Sequence, residues 1–118
     1  MTVSVNKKFD NVSDGVQNMI AAATHDYTKS NFSERMNKEF TEGWVVKEGT
    51  KYIKIMTNSG GSAWGFVVNT DSDKKFKKGD LLKSAGWNKP ARNAARGNVL
   101  NGGYNINWTG PLYLWLLL

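Results

Sequence analysis

The chain of 118 residues has no cysteine, two prolines and a single histidine. Without cysteine there is no disulfide framework, no thiolate metal site and no cysteine nucleophile. One histidine leaves most zinc sites short of ligands and makes any serine–histidine pair depend on His25 alone. Two prolines and no repeat at a fixed period exclude a proline-rich linker and a solenoid. Long apolar runs are also missing. The longest, Leu112 to Leu118, falls well short of the ~20 residues that span a bilayer. Residues 1–8 carry two lysines and no apolar stretch of the kind a secretory leader needs. The expectation is a soluble, cytoplasmic chain with no membrane partner.

Acidic side chains stop early. None follows Asp80, whereas Lys83, Lys89, Arg92 and Arg96 remain. Residues 1–59 hold eight basic and seven acidic side chains, net +1; residues 60–118 hold eight and three, net +5. A basic half without acidic partners points to an anionic ligand surface more strongly than the total of +6 does. Apolar residues at 40% and aromatics at 12% are enough for a packed core.

Two helices are expected first. Val12, Val16, Met19, Ile20, Ala23 and Tyr27 form one stripe of a 3.6-residue period. Asp10 or Ser13 is placed to cap its start. Gly15 should weaken the first turn by about 1 kcal/mol relative to alanine. After a polar break, Asn31 and Glu34 have capping-box spacing, Phe32, Met36 and Phe40 repeat every four residues, and Gly43 is placed to stop the helix.

From residue 43 the period becomes that of strands. Residues 44–47, 51–57, 62–69, 81–84, 99–100, 105–108 and 112–117 are candidates, separated by glycine-rich or polar turns. Trp64, Phe66 and Val68 should share one face of their strand. Pro90 suits the first position of a short helix over residues 91–96, closed by Gly97. The expected fold is a single α+β domain, helical over 1–42 and β-rich over 43–118. Its sheet is mostly antiparallel, bent or barrel-like, with five to six short strands.

Three stretches resemble small uncharacterised proteins of marine tailed bacteriophages. They are Lys78-Gly79-Asp80-Leu81-Leu82-Lys83, the segment from Gly86-Trp87-Asn88-Lys89-Pro90-Ala91-Arg92 to Val99, and Trp108-Thr109-Gly110-Pro111. In those proteins a Trp-x-x-Pro-Ala-Arg/Lys segment follows a hairpin carrying Tyr-Ile-Lys-Ile, here Tyr52 to Ile55. The resemblance covers about half the chain. It implies a phage-encoded accessory protein acting in an infected cell and supplies no catalytic residues.

The segment around Trp87 mixes an aromatic plate, three cations and several amides with no acid. On a helix, Arg92 and Arg96 would share a face, an arrangement that an anion such as phosphate relieves. Lys83, Lys89, Arg92 and Arg96 are therefore the candidate strand-positioning cations, with Trp87 and Tyr104 as stacking residues for single-stranded nucleic acid. Other constellations fail. Residues 69–80 fit a calcium-loop register, but Lys74 replaces the required glycine and the surrounding lysines repel a cation, so Asx turns are the better reading. His25 has no serine or carboxylate placed with it by a motif. Gly60-Gly61 and Gly102-Gly103 lack the Gly-Lys-Ser/Thr of a phosphate loop. The expectation is a non-enzymatic binding protein with no cofactor and no metal. The alternative is an interaction or virion component that self-associates as a homo-oligomer through Leu112 to Leu118.

Overall fold

The computed structural model describes residues 2–112. The apolar stripe of the first third forms α1 (Val12–Thr28), capped by Asn11, whose side chain accepts from the Asp14 amide. The second helix, α2 (Glu34–Glu42), is capped by Ser33 and closed at Gly43. Its cap lies two residues beyond Asn31, because Asn31 takes a left-handed φ of 61° and turns the chain. No helix of the described residues is long and apolar enough to cross a membrane.

Nine strands follow or flank the helices among the described residues: β1 (Val3–Val5), β2 (Val45–Glu48), β3 (Tyr52–Thr57), β4 (Ser62–Val68), β5 (Leu81–Leu82), β6 (Ser84–Gly86), β7 (Lys89–Pro90), β8 (Tyr104–Asn107) and β9 (Gly110–Pro111). They make three antiparallel sheets, ordered β2-β3-β4-β5, β1-β8-β9 and β6-β7. The class is α+β, as expected. The barrel is not: the sheets do not close on one another, and the strands exceed the five or six foreseen. The N-terminal strand β1 was not anticipated. Its three residues are too few to show a period, and β8 supplies the pairing through Val3–Ile106 and Val5–Tyr104.

Strands β3, β4 and β5 of the four-stranded sheet are covered on both faces, whereas β2 at its edge is exposed. On one face, Val12, Val16, Met19 and Ala23 of α1 pack with Ile53, Ile55, Val67, Leu81 and Ile106. On the other, Phe66, Val68 and Leu82 pack with Phe76 from the loop after β4, and with Tyr52 and Ala95. The pairing of β3 with β4 slips between Ile55 and Met56, so Trp64 has no partner across the ladder. That bulge takes Trp64 off the face of Phe66 and Val68 and into the α1 cluster, contrary to the alternation expected for this strand. Its indole N–H donates to the Trp108 carbonyl at 3.0 Å. The Tyr27 ring stacks on Phe40 at 4.1 Å and meets Trp108 edge-on, which fastens α2 to the rest of the fold. Met36, on the same stripe, is 42% exposed.

The helix expected over 91–96 does not form. Those residues run alongside β5 instead, with the Ala91 amide donating to Lys83 O, Arg96 to Leu81 O, and Leu81 to Gly97 O, at 2.7–2.9 Å. Pro90 belongs to β7 and not to a helix start. Helix propensity is a weak term, and neighbouring strand edges outbid it by satisfying the same amides. Residues 99–100 form a turn, not a strand. Most of the expected last strand, 113–117, lies outside the described residues.

Candidate functional site

The β6–β7 hairpin turns through Trp87 and Asn88, which places an indole at its tip. Its base is tied to β4 by the Ser84 hydroxyl, which donates to Ala63 O. The tip folds over the face of the large sheet that carries Lys54. The Lys54 ammonium donates to Asn88 Oδ1 at 2.7 Å and lies 3.0 Å from the centre of the Trp87 ring. Trp87 remains 53% exposed, the most exposed large apolar side chain of the described residues. One face of the ring thus meets a cation, an attraction between charge and ring quadrupole that orients the indole.

Lys54 is buried and stands directly opposite Lys47 on β2, with Phe66 opposite on β4. Like charges across an antiparallel pair repel. Burial first, and Lys47 second, lower the Lys54 pKa below its ordinary value. Lys47 and Lys51 are exposed on the same hairpin, and Lys89 is exposed just past the Trp87 turn. The result is an accessible aromatic plate oriented by one cation, with further exposed lysines on the two hairpins that meet there. A shallow groove lined by Lys47, Thr50, Lys51, Tyr52, Lys54 and Phe66 runs along it.

The sequence-derived residues divide. Trp87 and Lys89 belong to this surface. Arg92 sits beside it but is already paired: its two terminal nitrogens bond Asp73 at 2.9 and 3.0 Å, and one also donates to the Tyr52 hydroxyl. Arg96 is buried and donates to the Leu112 and Ala94 carbonyls and to Asn93 Oδ1, so it holds the chain together and is not a surface cation. The Arg92–Arg96 anion bridge expected of a helix therefore has no basis here. Lys83 donates to the Pro111 carbonyl, and burial lowers its pKa, with Arg96 adding to the shift. Tyr104, expected at the surface, is 4% exposed within the α1 cluster. Its pKa is raised by that burial. Tyr104 is drawn inward by its pairing with β1 and its close approach to Gly97, and Arg96 by the oxygens of Leu112, Ala94 and Asn93 that it bonds.

Sequence reasoning missed Lys47, Lys51 and Lys54. For cations it weighed the C-terminal half alone, whereas the fold lays the β6–β7 tip on the β2–β3 hairpin. Asp73 and Asp80 of the 69–80 stretch bond local turns, as their spacing suggested, and also reach Arg92 and Asn98 across the fold. Asp73 Oδ1 accepts from the Lys75 and Phe76 amides, and Asp80 Oδ2 from the Lys77 amide. His25 is exposed in the last turn of α1.

The Asp73–Arg92 pair gives a pH test. Hydrogen bonds from Arg92, then from the two backbone amides, hold the Asp73 carboxyl well below the usual carboxylate range. A depressed pKa contributes stability that is present above the unfolded value, about 4, and lost as pH falls toward the folded one. Asp73→Asn should lower the thermal midpoint at pH 7, and the gap to wild type should narrow steadily below about pH 4. A gap independent of pH would show that the pair contributes no charge-dependent stability.

No curated protein and no solved structure matches the chain. A family model does, over residues 2–114, and it carries the description of a family of unknown function. The chain belongs to that family, DUF7717.

Proposed function

We propose that the protein is a non-enzymatic single-strand nucleic-acid binding module, of the accessory kind that the phage resemblance implies. Trp87 stacks on an unpaired base, and Lys47, Lys51 and Lys89 meet the flanking phosphates. The observation that carries this reading is the exposed Trp87 ring oriented by Lys54 at 3.0 Å. A large aromatic ring held open to solvent among cations suits a base with its phosphates, since stacking contributes about 1–3 kcal/mol per base.

Binding of a fluorescent oligothymidine should weaken with salt at a log–log slope of about −2, from three exposed lysines releasing about 0.7 counterions each. Trp87→Ala should weaken binding about 5- to 150-fold without changing that slope, because stacking releases few ions. Lys47→Met should flatten the slope by somewhat under one unit. No binding at about 50 mM salt would overturn the proposal.

The exposed outer edge of β2, with Val45 at 38% and Val46 at 37% exposure, favours a second reading as an interaction component. Self-association through Leu112 to Leu118 has less support at its start, where Pro111 and Leu112 are buried within the chain. Residues 113–118 lie outside the described part. Light scattering separates the readings: a dimer that binds no oligonucleotide favours the second.

A further inference from the structure

Beside the β2–β3 turn lies a separate cleft, lined by Thr50, Lys51, Thr70, Ser72, Lys74 and Arg92 around Asp73. Its two walls are fixed to each other. The Asn69 amide donates to Lys51 O and its side chain donates to Gly49 O, so the 70–74 loop stands at a set distance from the turn. Thr50 and Lys51 line both this cleft and the groove toward Lys54. The two concavities are therefore neighbours along one surface.

We propose that this cleft binds a phosphate monoester. The charge arithmetic supports a dianion. Asp73 is the cleft's carboxylate, and its side chain is 2% exposed. Its Oδ1 accepts from Arg92 and from the Lys75 and Phe76 amides and its Oδ2 from Arg92, so near-complete burial and the Arg92 charge offset its repulsion of an anion. Arg92 and Asp73 cancel in charge, which leaves Lys51 and Lys74, one from each wall, to face the doubly negative group. The Thr50, Thr70 and Ser72 hydroxyls are the neutral donors a phosphate needs. Thr70 and Ser72 share one hydrogen bond at 2.9 Å, and that bond uses the proton of only one of the two. A phosphodiester carries one charge and fits this set less well than a monoester, which carries nearly two at neutral pH. The ligand class is a terminal phosphate, free or at the end of a strand. The strand-end source rests on the single-strand reading above; the phosphate chemistry does not.

The test follows the amide resonances of labelled full-length protein during titration with inorganic phosphate, at constant ionic strength set by chloride. Saturable shifts at Thr50, Lys51 and residues 70–74 are expected, lost in the Lys51→Met/Lys74→Met double variant and kept in Trp87→Ala. Absent shifts, or shifts scattered over all lysines and unchanged in the double variant, would overturn the site. A second arm compares an octathymidine with and without a 5′-phosphate. At least fivefold tighter binding of the phosphorylated strand, abolished in the double variant, identifies the strand end as the source. Saturable phosphate shifts without any oligonucleotide binding sustain the cleft and overturn the single-strand reading. Equal oligonucleotide affinities with no phosphate shifts overturn the cleft and leave that reading standing.

Discussion

Met19→Asp should cost the protein more than about 4 kcal/mol, enough to unfold a domain of ordinary stability. Met19 is fully buried in the cluster that joins α1 to Ile53, Ile55, Leu81 and Ile106, where the surrounding side chains are apolar. A carboxylate there would lose its hydration without gaining a partner, and that desolvation is the largest penalty a single substitution of this size can impose. Ile20 belongs to the same stripe in sequence, yet it is only partly buried at the margin of the cluster. Ile20→Asp should therefore cost distinctly less, since its carboxylate reaches water. Denaturant midpoints for the two variants against wild type measure the difference. Similar midpoints for Met19→Asp and wild type would mean that α1 does not dock on this sheet.

The neighbouring positions 19 and 20 show how far periodicity reaches. A 3.6-residue stripe locates a helix and its apolar side, and α1 lies where the stripe put it. It does not say which edge of the stripe meets the sheet, because that depends on partners more than 30 residues away in sequence. Strands β2, β3 and β4 were legible because each is rich in β-branched or aromatic residues and has a glycine-containing turn beside it. The 91–96 segment was misread because alanine and arginine favour helix locally. Its amides are claimed by β5, a strand of only two residues with no period of its own.

The candidate surface was half legible. Trp87 and Lys89 stood out as an aromatic among cations, and they are exposed at the hairpin tip. The lysines on the opposite hairpin required a pairing argument that composition by halves obscures. With the turn at residues 49–52, antiparallel register sets 47 against 54, and both are lysine. That like-charge pair was a signal available in the sequence. Arg96 and Tyr104 were lost for a different reason. Their residue types are usually exposed or half-exposed, and only the three-dimensional path of residues 104–112 shows that carbonyls and strands enclose them.

Gly15→Ala separates local propensity from packing most sharply. Within an exposed helix the change should stabilise by about 1 kcal/mol, since glycine loses more backbone entropy and offers no side chain. In this fold a Cβ at position 15 would lie 2.4 Å from the Val99 carbonyl oxygen and 3.0 Å from its carbon. The obstacle is backbone, and it is held on both sides. The Val99 amide donates to Gly79 O, the Leu100 amide to Asn98 Oδ1, and the Phe9 amide to Leu100 O. Neither the helix nor the turn can move without loosening the α1 cluster, so overpacking of about 1–3 kcal/mol should outweigh the propensity gain. Ala21, exposed on the same helix, supplies the control. Ala21→Gly reports propensity alone and should destabilise by about 1 kcal/mol. The structure thus requires both variants to lower the denaturant midpoint, although their chemical changes are opposite. If Gly15→Ala instead raises the midpoint by as much as Ala21→Gly lowers it, helix α1 does not approach the 98–100 turn as closely as 2.4 Å demands.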